Sequence, residues 1–139
     1  MKSLTVLGTL DSLSAIAQFV MEAATSADLN KKAAYKLRLA VDEIATNIIT
    51  HGYDEAGLTG ELALSAEINE SNLTISIEDT GHEYDPTKKV SVEEEEFNKS
   101  LEDRQMGGLG VFLALEGVDQ YLYERVGDRN RNIFIVNCK

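Results

Sequence analysis

The sequence predicts an α+β fold, a two-layer sandwich with a mixed, mostly antiparallel sheet and helices on one face. Three observations carry the prediction. Apolar residues recur at helical spacing in two consecutive segments of the N-terminal third. Later segments alternate apolar and polar with a period of two, and they pair across short polar turns. The resulting order, β α α β β, loop, α β β, groups strands into hairpins instead of alternating them with helices, as a doubly wound parallel fold would.

Each element follows from its residues. Ser3 to Leu10 alternates weakly, with Leu4, Val6 and Gly8 on one side, and reads as an opening strand. Asp11 or Ser12 can cap a helix over about 12–27, where Leu13, Ile16, Ala17, Val20 and Met21 fall on one face. A second helix runs from about Asn30 to His51 with Leu37, Val41, Ile44 and Ile48 as its buried stripe, and Gly52 is placed to end it. Leu62, Leu64, Ala66 and Ile68 share a face of a strand over 61–68. Leu73, Ile75 and Ile77 do so over 73–79, and Asn69 to Asn72 form the turn between the two. A second hairpin joins 120–126 to 132–138 through Gly127, Asp128, Arg129 and Asn130. Between the hairpins a long polar stretch leads to Gly107-Gly108-Leu109-Gly110 and a short helix over 110–117. A loop of that length in a compact domain is either a functional lid, here about 82–106, or an insert.

With 139 residues the chain is expected to form one domain, 1–139, and its hydrophobic fraction of 43% is that of a globular protein. A net charge of −11 repels a phosphate backbone and argues against nucleic acid as a direct partner. An anionic ligand would need local positive potential from a metal ion, backbone N–H groups or a helix N-terminus. The lone cysteine, Cys138, has no disulfide or metal-ligand company and reads as a small apolar residue near the last strand. No stretch is long and apolar enough to span a bilayer, and Asp11 interrupts the N-terminal apolar segment before any cleavage site. The expected location is therefore cytoplasmic, with no membrane partner.

Three short constellations bear chemistry. Glu43 and Asn47, one turn apart with Thr50, form a polar stripe at the margin of the second helix's buried face. There a carboxylate and an amide oxygen can serve one point in a cleft, or simply form a solvated pair. Ile77-Glu78-Asp79-Thr80-Gly81 puts a carboxylate at the end of a buried strand, suited to an amino group such as adenine N6, or to turn chemistry alone. Gly107, Gly108 and Gly110 precede a helix, where backbone N–H groups can approach phosphates. Leu113 stands where the dinucleotide fingerprint needs its third glycine, and no GKS or GKT follows to make a P-loop.

In this order and at these separations, DEIATNIITHGY, EDTG and GGLG resemble the three sequence boxes of the GHKL ATPase superfamily, whose domain is the Bergerat-type ATP-binding fold. More closely, the chain resembles the serine-kinase anti-sigma factors of bacterial partner-switching systems, over nearly its whole length. The resemblance implies Glu43 as general base, Asn47 as Mg²⁺ ligand, and Asp79 with Gly81 at the adenine. It implies a phosphate-wrapping hinge at Gly107, Gly108 and Gly110, with Arg104 as the nearest basic residue to a γ-phosphate. Glu83 departs from the glycine found in DxGxG forms of the second box.

The expected cofactors are ATP and Mg²⁺. The expected activity is phosphoryl transfer to a serine or threonine of an anti-sigma-factor antagonist protein, with a sigma factor as a second partner and a homodimer as the assembly. A nucleotide-gated binding module without useful turnover is the alternative; a histidine-kinase catalytic part would need its phosphoacceptor helices on another chain. His51 reads as a helix-terminal residue or one with a chemical role, and Glu93 to Glu96 as a solvated segment in preference to a partner-recognition one.

Overall fold

The computed structural model describes residues 2–84, 111 and 114–138. Arg104, Gly107, Gly108, Gly110 and the 82–106 segment beyond Tyr84 lie outside them. Strand β1 (Lys2–Leu7) is followed by a 3₁₀ turn (Leu10–Ser12), helix α1 (Leu13–Ser26) and helix α2 (Lys31–Asn47), which continues as a π-helical turn (Ile48–Asp54). Strands β2 (Glu61–Ile68), β3 (Asn72–Asp79), β4 (Gln120–Val126) and β5 (Arg129–Asn137) complete a five-stranded sheet in the order β1-β2-β3-β5-β4. All described pairings are antiparallel.

Period-two patterning gives the sheet one apolar face. Leu62, Leu64 and Ala66 of β2, Leu73, Ile75 and Ile77 of β3, and Phe134 and Val136 of β5 are buried. They form one core with Ile16, Val20 and Ala23 of α1 and Leu37, Val41 and Ile44 of α2. Burying each large side chain stabilises the fold by roughly 1.5–3 kcal/mol. The buried stripe of α1 is rotated from the expected one: Ala23 and Ala24 are inside, while Met21 is 37% exposed. Ile68, at the end of β2, is exposed as well.

Helix α2 is capped by Asn30, whose side chain accepts from the Ala33 N–H at 2.8 Å. Ser12, by contrast, makes no side-chain capping bond to α1. Gly52 does not end α2. The widened π turn carries the chain past it and seats Tyr53, 1% exposed, between two glycines. A Cβ on Gly8 or on Gly60 would come within 2.7 Å of the Tyr53 ring, so both positions need to be bare. The Tyr53 hydroxyl donates to the Glu61 carbonyl at 2.7 Å and accepts from the Thr80 N–H at 3.1 Å. This pins the end of α2 to the end of β3.

The β4–β5 turn is only Gly127-Asp128, since Val126 already pairs with Arg129. Gly127 has φ +63, a conformation that favours glycine and suits a two-residue hairpin. The expected strand thus begins earlier, and Asn130 lies inside it. Cys138 follows β5, half-buried against the core.

Candidate functional site

The inner faces of β3 and β5 change character along their length. Leu73 pairs with Val136 and Ile75 with Phe134; then Ile77 meets Asn132 and Asp79 meets Asn130. Asp79, Asn130 and Asn132 are respectively 2%, 3% and 1% exposed. A polar cluster therefore closes one end of the apolar core.

Asp79 is held by one oxygen only. Its Oδ1 accepts from the Gly81 N–H at 2.9 Å and from Asn130 Nδ2 at 2.9 Å. The first of these bonds is the turn chemistry expected of an Asp two residues before a Gly. The other oxygen, Oδ2, is buried with no hydrogen-bond partner among the described residues. Buried polar atoms without partners are rare and costly, so this one is open to a donor from outside the described residues. Burial pushes the carboxyl pKa above its ordinary value, against the Asn130 and Gly81 hydrogen bonds and the nearby Arg125 charge.

Gly81 is fixed by packing as well as by hydrogen bonding. A Cβ there would stand 2.8 Å from the Gly52 carbonyl oxygen. The next residue, His82, donates its N–H to that same oxygen at 2.9 Å. Close backbone approach thus joins the π turn after α2 to the segment that follows β3. The second turn of contact is aromatic: His51 stacks on Tyr84 with ring centroids 5.2 Å apart and bonds Glu55 through Nδ1 at 2.7 Å.

Glu43 and Asn47 lie half-buried on α2, while Leu37, Val41, Ile44 and Ile48 are buried, as the periodicity predicts. Asn47 Nδ2 is buried and has no partner among the described residues, a second polar atom suited to a ligand. A cation would use the other end of that amide, Oδ1. Asp42, beside Glu43, pairs with Arg38 at 3.6 Å. Among the described residues, no group of His, Cys, Asp and Glu could hold a metal ion on its own.

Sequence reasoning missed Tyr53 and Asn130. Asn130 Nδ2 donates to Asp79 Oδ1, to the Gly81 carbonyl at 3.1 Å and to the His82 carbonyl at 3.4 Å. Its signal was present: Asn130 and Asn132 continue the alternation of Phe134 and Val136, but as polar residues on the inward face.

Comparison with known proteins bears on the family and the fold. Residues 6–136 match the histidine kinase-like ATPase domain. The serine-protein kinase RsbW of Halalkalibacterium halodurans is 35% identical over 78 residues, 55% of this chain and 46% of that protein. RsbW of Staphylococcus aureus is 32% identical over 84 residues, 60% of this chain and 53% of its own length. The chain spans about half the length of the curated relatives it matches. Among solved structures, the histidine kinase domain of the Erythrobacter litoralis blue-light activated histidine kinase superposes with TM-score 0.55 at 16% identity, covering 89% of this chain and 58% of that one. The histidine kinase AdeS of Acinetobacter baumannii gives TM-score 0.52 at 12% identity, covering 100% and 70%. Likeness at those identities shows the fold alone.

Proposed function

We infer the function from one premise: the chain belongs to the histidine kinase-like ATPase domain family. It binds ATP and transfers the γ-phosphoryl group to a serine or threonine of a small antagonist protein, with a sigma factor as its second partner. The observation that carries the nucleotide half is Asp79 Oδ2, a buried acceptor with no partner among the described residues, at the end of β3. An exocyclic amino group such as adenine N6 supplies the donor it lacks. The protein half rests on the similarity to the serine-protein kinase RsbW of two bacteria.

In this reading Asn47 holds Mg²⁺ through Oδ1, and the cation neutralises phosphate charge when bound. Glu43, one turn earlier on α2, takes the proton of the acceptor hydroxyl as its oxygen bonds phosphorus and ADP leaves. Arg104 and the backbone N–H groups of Gly107, Gly108 and Gly110 meet the phosphates, as the sequence resemblance implies. Phosphoryl transfer asks for this positioning and neutralisation more than for covalent catalysis. The domain is a single unit of 139 residues that acts in the cytoplasm and assembles as a homodimer. No described helix is long and apolar enough to cross a membrane.

The test is incubation with γ-labelled ATP, Mg²⁺ and candidate acceptor proteins encoded nearby, followed by location of the label. Phosphoserine or phosphothreonine on the acceptor supports the kinase. ATP-dependent partner choice without any transfer replaces it with a nucleotide-gated binding module.

A further inference from the structure

Three observations single out the Asn130 amide. It is 3% exposed, it stands opposite Asp79 in the β3–β5 ladder, and both of its ends are engaged. Oδ1 accepts from the Tyr123 hydroxyl at 2.5 Å and from Arg125 Nη1 at 3.0 Å, two donors that come from the edge strand β4. Nδ2 faces three acceptors: Asp79 Oδ1, the Gly81 carbonyl and the His82 carbonyl. With donors on one side and acceptors on the other, only one orientation of the amide satisfies the network.

We propose that Asn130 is a positioning residue for nucleotide binding, set by Tyr123 and Arg125, which holds Asp79 so that Oδ2 alone faces the ligand. The proposal rests on the ATP-binding reading above. A carboxylate has two equivalent oxygens and a free χ2 torsion, so an unanchored Asp79 would share its acceptors among several rotamers. Two donors on Oδ1 remove that freedom before the ligand arrives, which lowers the ordering cost of binding. The same amide ties the carbonyls of Gly81 and His82 to β5. Arg125 adds an Nη1 contact to the Gly81 carbonyl at 3.4 Å and an ion pair with Glu83 at 3.8 Å. Nucleotide affinity is thereby set in part by two side chains of β4, a strand outside all three sequence boxes.

A positioning role differs from a general structural one in its coupling to Asp79. The experiment measures ADP affinity by calorimetry for the wild type, Asn130→Ala, Asp79→Asn and the double variant, with melting curves of each unliganded protein. Asn130→Ala is expected to weaken ADP by on the order of tenfold, the loss of a hydrogen bond to a buried charged group. On the Asp79→Asn background the same change should alter ADP affinity by no more than about twofold, because residues acting through one contact are not additive. Tyr123→Phe removes a single hydroxyl, leaves the inward ring in place, and should show a smaller loss with the same dependence on Asp79. That variant carries the test if Asn130→Ala fails to fold. Full additivity in a wild type that binds ADP would overturn the clamp alone. A wild type that binds no adenine nucleotide would overturn the reading of the site, and the clamp's role with it.

Discussion

The β3–β5 ladder has two ends built to different purposes. At one end Leu73, Ile75, Phe134 and Val136 pack into the core; at the other Asp79, Asn130 and Asn132 are buried just as deeply. Backbone pairing is the same along the whole ladder, so the side chains make the difference. The apolar end gains stability from burial. The polar end gives some of it up, with one buried carboxylate oxygen that has no hydrogen-bond partner among the described residues. Helix α2 repeats the division in cross-section, with Leu37, Val41 and Ile44 on the core side and Glu43 and Asn47 at its margin.

The largest effect expected is at the apolar end. Phe134→Ala should destabilise the unliganded protein by about 3–5 kcal/mol in denaturant titration, since the ring is fully buried and its cavity cannot close. A small loss would mean that the two ends do not divide as described.

Next is Glu43→Ala, expected to cut partner phosphorylation by on the order of a hundredfold while ATP affinity and the melting temperature change little. Normal transfer by that variant would move the base elsewhere. Asn47→Ala should act differently, weakening Mg²⁺-dependent nucleotide binding in calorimetry, because it removes an amide ligand and no proton acceptor.

Gly81→Ala should weaken nucleotide and lower stability together, by about 1–3 kcal/mol, as expected of overpacking. The added methyl meets the Gly52 carbonyl oxygen at 2.8 Å and displaces the junction of α2 with β3. Loss of binding at unchanged stability would show that this junction is less rigid than its contacts imply.

The smallest effect concerns pH. Burial raises the Asp79 pKa in the folded protein above its unfolded value. The folded state therefore binds more protons in the interval between the two, and stability falls as pH rises through the folded pKa. The penalty is absent below the unfolded carboxylate range and complete above the folded pKa. Asp79→Asn should accordingly melt a little higher than the wild type at neutral pH, with the gap closing as the pH is lowered. A gap that widens on acidification would contradict this assignment.

Much of this was legible in sequence because periodicity reports burial. The stripe on α2 and the faces of β2 and β3 stand almost as patterned, and the three boxes were recognised by order and spacing. The misses have physical causes. Gly52 looked like a helix end, yet the chain passes it in a π turn that no propensity encodes, and so Tyr53 was overlooked as the anchor between Gly8 and Gly60. The hairpin turn is Gly127-Asp128, shorter than the four-residue turn expected, and that difference hid Asn130 in a loop when it lies in β5 opposite Asp79. Ile68 keeps its place in the alternation at the end of β2 but is exposed. Arg104, Gly107, Gly108 and Gly110 lie outside the described residues, so their part in the site is carried by the sequence resemblance alone.

The central claim is that Asp79 is kept buried and half-satisfied for the sake of an adenine ligand. It is tested most directly by titrating ADP and ATP into Asp79→Asn, with the unliganded melting temperature recorded beside it. The substitution preserves shape and the Oδ1 contacts, and replaces the open acceptor with a donor. The account predicts a folded variant that melts no lower than the wild type at neutral pH, yet loses affinity for both nucleotides about equally, by tenfold or more, roughly the 1.5–3 kcal/mol of a hydrogen bond to a charged group. Unchanged ADP affinity in that folded variant would contradict it and remove Asp79 from the site.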